Sequence, residues 1–464
     1  MGKKKQKTTR ENTNQKIRTK SETTAAAGQT VSAKRLAKKQ PKRIREARFD
    51  KLDNTANLFP VIASRKSSNV YRIAATLTEE IQPEKLQQAL DMVLPYFDVM
   101  HVRMKTGVFW YYFEDNPNPA PRVLQEDMGP CQYINPLLNR EYLFRVLYYE
   151  RRISLEVFHA LTDGNGALMF LKELVYQYLR LVHPELREKD GDALSSVTSL
   201  NREDSFLRNY RKSAKKGYQS KKAYQIKGEK LDSEEFGVIH GYVKIPALKE
   251  VCHKYGMSIN EYLVATYVWS IYKECLHGMT SDRAIRAAGP VNLRPFFDSV
   301  TTKNFFAMVS AELVPDKENL SYEEVLERVK TSLRSQINKE HLEQLFSYNV
   351  SNQQNLFARA VPLFLKNIAI RLVYTQSALA NTTTITNIGN VKLEPEYEPY
   401  VQMFHAFLAM SKGQLLKATV CSYRDTLAIT FSSVLAEPHV QRTFFRQLAA
   451  DGLEVTIESN GVYV

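Results

Sequence analysis

The chain has 464 residues, 44% of them hydrophobic and 25% charged, which is the balance of a folded protein with core enough for more than one lobe. No run approaches the roughly 18 to 20 uncharged apolar residues that span a bilayer, and no apolar stretch follows the basic N-terminus, so neither a membrane-spanning helix nor a secretory signal is expected. Of the net charge of +14, residues 1–48 supply +13, with sixteen Lys and Arg against three Glu; the remainder is nearly neutral.

The first 48 residues have no aromatics and few large aliphatics. They cannot bury enough surface to offset the entropy of ordering, so a disordered basic arm is expected there. A solvated tail is one reading of such an arm. Electrostatic attraction to an anionic membrane face or to an acidic carrier protein is another, and nucleic acid is the weakest, because no aromatics interleave the cations.

The globule starts at Phe49. Ser68 to Leu77 alternates as a strand, and Pro83 opens a helix with apolar positions at Leu86, Leu90, Val93 and Leu94. Strands are expected at His101–Lys105, Val108–Glu114, Leu143–Tyr149 and Ile153–Phe158, and a strongly apolar helix from Gly166 to Val182. The polar stretch 191–235, with some helix between Arg202 and Ala214, reads as a connection between an N-terminal lobe (49–190) and a C-terminal lobe (236–464). In the second lobe, strands fit Val238–Ile245, Ala284–Val291, Phe305–Leu313, Thr382–Ile388, Val401–Ala409, Leu415–Ser422 and Leu427–Ser433. Helices fit Pro246–Tyr255, Ser258–Leu276, Tyr322–Lys339, Phe357–Val373 and Pro438–Asp451. The order is not a strict βαβ alternation, so the class is α+β with mixed sheets flanked by helices.

One segment carries chemistry: Glu156-Val-Phe-His159-Ala-Leu-Thr-Asp163-Gly164, at the exit of a strand and the start of a helix. A histidine held at the end of a rigid strand can act as a general base, since its near-neutral pKa lets it accept a proton and return it. Asp163 can pair with an arginine and brace the loop. Gly164 is expected to supply unusual backbone angles where the chain turns into the helix. Four dispersed cysteines without a C-x-x-C pair indicate a reduced, cytoplasmic protein, and nine histidines without ligand spacing give no metal site.

The His-x-x-x-Asp-Gly segment resembles the active-site motif of the superfamily of chloramphenicol acetyltransferases, condensation domains, wax ester synthases and alcohol acetyltransferases. Three further segments carry the likeness: Gly289-Pro-Val-Asn-Leu-Arg294-Pro-Phe with Thr302-Lys-Asn304-Phe-Phe, Thr386-Asn387-Ile-Gly389, and Ser422-Tyr-Arg-Asp425 through Ser433. The resemblance implies two lobes meeting at a central tunnel. In it, His159 would deprotonate an alcohol or amine that attacks a thioester directly, and Asp163 would pair with Arg294. Donors would be acyl-CoA or an acyl carrier protein, acceptors small alcohols or amines, with no permanently bound cofactor and a monomeric chain. Asn304, Thr384 and Asn387 are polar candidates for oxyanion or substrate contacts. Condensation domains usually carry a second histidine where this chain has Phe158, which points away from peptide condensation, and the Asp-Phe-Gly-Trp-Gly signature of plant acyltransferases is absent. The rival reading is a non-catalytic lipid- or protein-binding member of the same fold. His405 reads as a buried strand histidine, and the aromatic run Phe109–Phe113 as a core or edge strand.

Overall fold

The computed structural model describes residues 49–53, 55–65, 67–190, 204–212, 221–232, 235–354 and 360–463. The basic arm and most of the connection therefore lie outside the described residues.

Fifteen strands follow one another along the described chain: β1 (Phe49–Lys51), β2 (Val70–Leu77), β3 (Val102–Thr106), β4 (Tyr111–Asp115), β5 (Leu124–Gln125), β6 (Phe144–Tyr149), β7 (Arg152–Phe158), β8 (Gly237–Lys244), β9 (Ile285–Asn292), β10 (Phe306–Leu313), β11 (Thr383–Val391), β12 (Val401–Leu408), β13 (Leu416–Tyr423), β14 (Thr426–Ser433) and β15 (Thr456–Ser459). They form a three-stranded sheet β1-β4-β3, a five-stranded sheet β12-β2-β7-β6-β5 and a seven-stranded sheet β10-β9-β11-β13-β14-β8-β15. Parallel pairs (β11 with β9 and β13, β5 with β6) mix with antiparallel ones, so the sheets are mixed and the class is α+β. Each of the two larger sheets has its own hydrophobic core, giving two lobes.

The period-2 pattern of β7 shows how the first lobe is built. Ile153, Leu155 and Val157 enter the core, where helices Pro83–Val93 and Gly164–Val182 also pack. Each such fully buried aliphatic contributes roughly 1.5 to 3 kcal/mol. The alternate residues Ser154 and Glu156 are equally buried on the other face, which is unusual for a carboxylate. Glu156 is held there by Arg72 of β2 (Nε–Oε1 2.9 Å) and Arg145 of β6 (Nε–Oε2 2.7 Å). The late strand β12 crosses over to pair with β2, so the C-terminal half adds a strand to the sheet that carries the histidine motif.

In the second lobe, helices Ile259–Cys275, Tyr322–Gln336 and His439–Ala450 pack against one another and the long sheet. Two of them begin with a Ser side chain accepting from the backbone of a Glu three residues on, which reaches back in return: Ser258 with Glu261, and Ser321 with Glu324. The helix expected over Tyr322–Lys339 stops at Gln336, and a separate one runs Lys339–Gln354. The helix expected at Phe357–Val373 runs Leu363–Ser377, its expected start lying outside the described residues. Between Arg202 and Ala214 the described helix is one turn, Ser205–Arg208.

The aromatic run at 109–113 is not one strand. The Gly107 N–H donates to the Trp110 carbonyl (3.0 Å), closing a turn at residues 107–110, and pairing resumes at Tyr111. Phe109 and Trp110 are left exposed at this tip.

Candidate active site

β7 ends at Phe158, and the His159 N–H donates to the Asn69 carbonyl (3.0 Å) at the mouth of β2. The next four residues turn into helix Gly164–Val182. Tyr71 fastens this turn by donating its hydroxyl toward the carbonyls of Thr162 and Asp163 (both 2.9 Å), and the Thr162 hydroxyl donates to the Thr302 carbonyl across the lobes.

Asp163 is the helix N-cap, its Oδ1 accepting from the N–H groups of Asn165 and Gly166 (3.2 Å each). The same carboxylate receives a two-pronged ion pair from Arg294 (Nη1–Oδ2 2.8 Å, Nη2–Oδ1 3.1 Å) and the Phe305 N–H (3.0 Å). Arg294 places its remaining donors on the carbonyls of Thr301 and Lys303 and on Asn292 Oδ1, so all five guanidinium hydrogens are engaged. Asp163 is thus a structural clasp that fastens the histidine loop of one lobe to the Asn292–Phe305 segment of the other.

Gly164 does not take the unusual backbone angles expected of it: its φ is not positive. A Cβ there would lie 3.1 Å from Ile388 Cδ1, so a larger residue needs the end of that side chain to give way. Gly166, which sequence reasoning passed over, is tighter still; a Cβ would fall 2.6 Å from the Thr302 carbonyl oxygen.

The imidazole of His159 is enclosed by aromatic rings. Phe59 stacks on it at 4.6 Å between centroids, with Tyr71 at 4.8 Å and Phe306 at 5.7 Å. On the Nδ1 side stands Asn304, with Oδ1 at 3.2 Å. The Asn304 amide nitrogen donates to Asp53 Oδ2 (3.0 Å) and to the His159 carbonyl (3.3 Å), which turns its oxygen toward the ring. With Asn304 Oδ1 as acceptor on the Nδ1 side, the proton belongs on Nδ1 and the lone pair on Nε2, the form a general base needs. Among the described residues, Nε2 has no hydrogen-bond partner.

Burial holds His159 below the ordinary histidine range, against the opposing pull of its backbone hydrogen bond, Asp163 and Asn304. Lys417 of β13, itself buried and pushed down to about 8 by that burial, adds to the lowering. Burial pushes Asp53 up to about 7 despite the donors from Asn304 and Ala56.

The structure therefore gathers His159, Asp163, Gly164, Arg294 and Asn304 at one place. It puts Asn304 behind the base, with both amide hydrogens committed. Thr384 lies elsewhere, in the wall of a large cavity, its hydroxyl donating to Gln414 Oε1 (2.7 Å). Asn387 is exposed and accepts from the Gly389 N–H (2.8 Å) at a bulge in β11. Asp53, Phe59, Tyr71, Phe306 and Lys417 were not anticipated. Nothing local in the sequence marks them, since Asp53 and Asn304 are 251 positions apart. Among the described residues, no group of three or more His, Cys, Asp or Glu side chains is gathered as a metal site requires.

The cavity has a volume of about 1730 Å³. Phe306, which borders the imidazole, lines it, as do Leu52, Leu58, Trp110 and the helix Leu363–Ser377. It is larger than pockets that hold drug-sized molecules and mostly apolar.

No family model matches the sequence, and no curated protein matches it. Solved structures do match along nearly the whole chain. Polyketide synthase associated protein 5 from Mycobacterium tuberculosis is 14% identical, covers 86% of this chain and 96% of its own, and has a TM-score of 0.56. TRI101 of F. graminearum, solved with ethyl coenzyme A, is 11% identical over 88% of this chain and all of its own, with a TM-score of 0.58. The condensation domain of the Monacolin K polyketide synthase MokA is 10% identical over 88% and 97%, with a TM-score of 0.53. The chain thus shares the fold of these solved structures.

Proposed function

We propose that the protein is an acyltransferase that moves an acyl group from a thioester to an alcohol or amine, with His159 as general base. The single observation that carries this is the pairing of Asn304 Oδ1 with Nδ1 at 3.2 Å, which leaves the Nε2 lone pair available. In this reading Nε2 takes the proton of the acceptor as its oxygen or nitrogen attacks the thioester carbonyl. The tetrahedral oxyanion collapses, the carbon–sulfur bond breaks, and the proton passes from Nε2 to the leaving thiolate. No acyl-enzyme is formed. Asn304 serves the base rather than the oxyanion, because both amide hydrogens are already spent. Asp163 and Arg294 touch neither substrate nor proton; they hold the loop.

The lowered pKa of His159 suits this role, because burial favours the neutral ring that can accept a proton. The volume and apolar walls of the cavity favour a long acyl chain or a bulky apolar acceptor over a small polar one. Coenzyme A in the TRI101 structure supports an acyl-CoA donor, and the condensation-domain neighbours keep a carrier-bound donor in view.

The test is release of free thiol from a panel of acyl-CoAs of increasing chain length, with alcohols and amines as acceptors. Product formation that is lost in His159→Ala, with unchanged thermal stability, supports the reading. If no donor is consumed and acylated ligands bind wild type and variant equally, the protein is a binding member of the fold instead.

A further inference from the structure

The helix Leu363–Ser377 (LFLKNIAIRLVYTQS) is apolar on more than one side. One side, with Leu363, Ile370 and Tyr374, lines the cavity. The opposite side carries Phe364, Ile368 and Leu372, four residues apart, which are 66%, 56% and 66% exposed and are not among the cavity-lining residues. A helix that is apolar all round normally has its outer face covered as well. Beside it stands the turn at residues 107–110, where Val108 is 71% and Trp110 44% exposed. The two are joined: the Leu363 N–H donates to the Val108 carbonyl (2.8 Å) and Lys366 Nζ to the Phe109 carbonyl (2.9 Å). The exposed helix stripe and the aromatic turn thus form one apolar patch. Monomeric proteins rarely leave such a contiguous surface bare without a use for it.

Charge identifies what covers it. From Gln344 to Leu393 the sequence has no acidic residue, while Lys366 and Arg371 lie on the helix itself. Lys51 sits over the Trp110 ring at 5.4 Å, and the +13 segment 1–48 is joined to the chain two residues before it. Apolar side chains with a tryptophan, beside Lys51, Lys366 and Arg371, match an anionic bilayer surface, where the rings and aliphatics enter the headgroup boundary and nearby cations meet lipid phosphates. A symmetric pair of this chain would instead set these cations against each other.

We infer that the face formed by helix Leu363–Ser377 and the turn 107–110 docks on an anionic lipid bilayer, which places one wall of the cavity beside the membrane. The inference stands independently of the acyl-transfer reading, since docking needs no turnover.

The experiment is flotation of the full chain with vesicles of pure phosphatidylcholine and with equimolar phosphatidylcholine and phosphatidylserine, while tryptophan emission is followed. The protein should float with the anionic vesicles and its emission should shift to the blue. Phe364→Ser/Ile368→Ser/Leu372→Ser should weaken this by at least about tenfold, given the apolar area removed, without changing thermal stability. Wild type that stays unbound overturns the inference. So does a triple variant that binds as tightly as wild type through a wholly salt-sensitive attachment, which would place binding in the basic segment alone. A concentration-dependent dimer that the triple substitution dissolves would also overturn it, and make the face a contact between copies.

Discussion

Two histidine environments in this protein differ in which ring nitrogen carries the proton. At His159 the acceptor Asn304 Oδ1 faces Nδ1, leaving Nε2 as the basic atom. At His405 of β12, Nε2 lies 2.9 Å from the Tyr242 hydroxyl, whose hydrogen is donated to Glu458 (2.7 Å). Nε2 of His405 must therefore be the donor, so the two histidines hold opposite tautomers. His405 is buried, with the His240 ring 4.4 Å away, and burial with the neighbouring His240 and Arg152 charges holds it well below the ordinary histidine range. Burial and a shifted pKa are common to both; only the hydrogen-bond pattern separates a poised base from a structural strut.

The largest difference should appear in turnover. His159→Ala should lower kcat by about 10² to 10⁴-fold, the usual share of a general base, whereas His405→Ala should leave kcat within a few-fold and cost stability of about 1 to 3 kcal/mol as Tyr242 loses its donor. Parallel thiol-release assays and thermal melts check both halves. Equal loss of turnover in the two variants would erase the distinction.

Asp163→Ala should act on stability first. It removes the helix cap and leaves the nearly buried Arg294 without its carboxylate, which costs about 3 to 5 kcal/mol. Chemical denaturation measures this, and a variant as stable as wild type would show that the clasp is dispensable.

A smaller effect is expected at Asn304, which positions the base without touching substrate. Asn304→Leu removes the acceptor at Nδ1 and should lower kcat by about tenfold, the value of a single hydrogen bond, with KM little changed. The acid limb of the pH–rate profile should move as well, because a hydrogen bond favouring the protonated ring is gone and the His159 pKa falls further. An unmoved profile would make Asn304 merely structural.

The smallest effect concerns stability against pH. Burial depresses His240 to about 4, and His405 lies well below its ordinary value, while both titrate near 6.5 in the unfolded chain. The unfolded chain therefore binds more protons as pH drops below about 6.5. The stability these groups contribute is full above that value and is lost as pH falls toward the folded pKa values. His240→Gln should flatten the fall in melting temperature between about pH 6.5 and 4 relative to wild type.

Much of the scaffold was legible in the sequence, because strands such as β7 alternate and helices such as Pro83–Val93 repeat apolar residues at helical spacing. The histidine motif was legible for the same reason, lying where a strand gives way to an apolar helix. What escaped was set by pairing across the chain. No local pattern joins Asp53 to Asn304, β12 to β2, or Phe59 to the face of His159. The unusual backbone angle expected at Gly164 is not taken, and the close neighbour there is Ile388. The exposed turn at 107–110 was taken for strand because its aromatics have strong β propensity, which Gly107 overrides.

The most direct test is the tautomer of His159 itself, read from the ring nitrogen shifts of histidine-labelled protein at neutral pH. The account predicts a proton on Nδ1 and a bare Nε2 at His159, with the reverse at His405. A proton on Nε2 of His159 would contradict it.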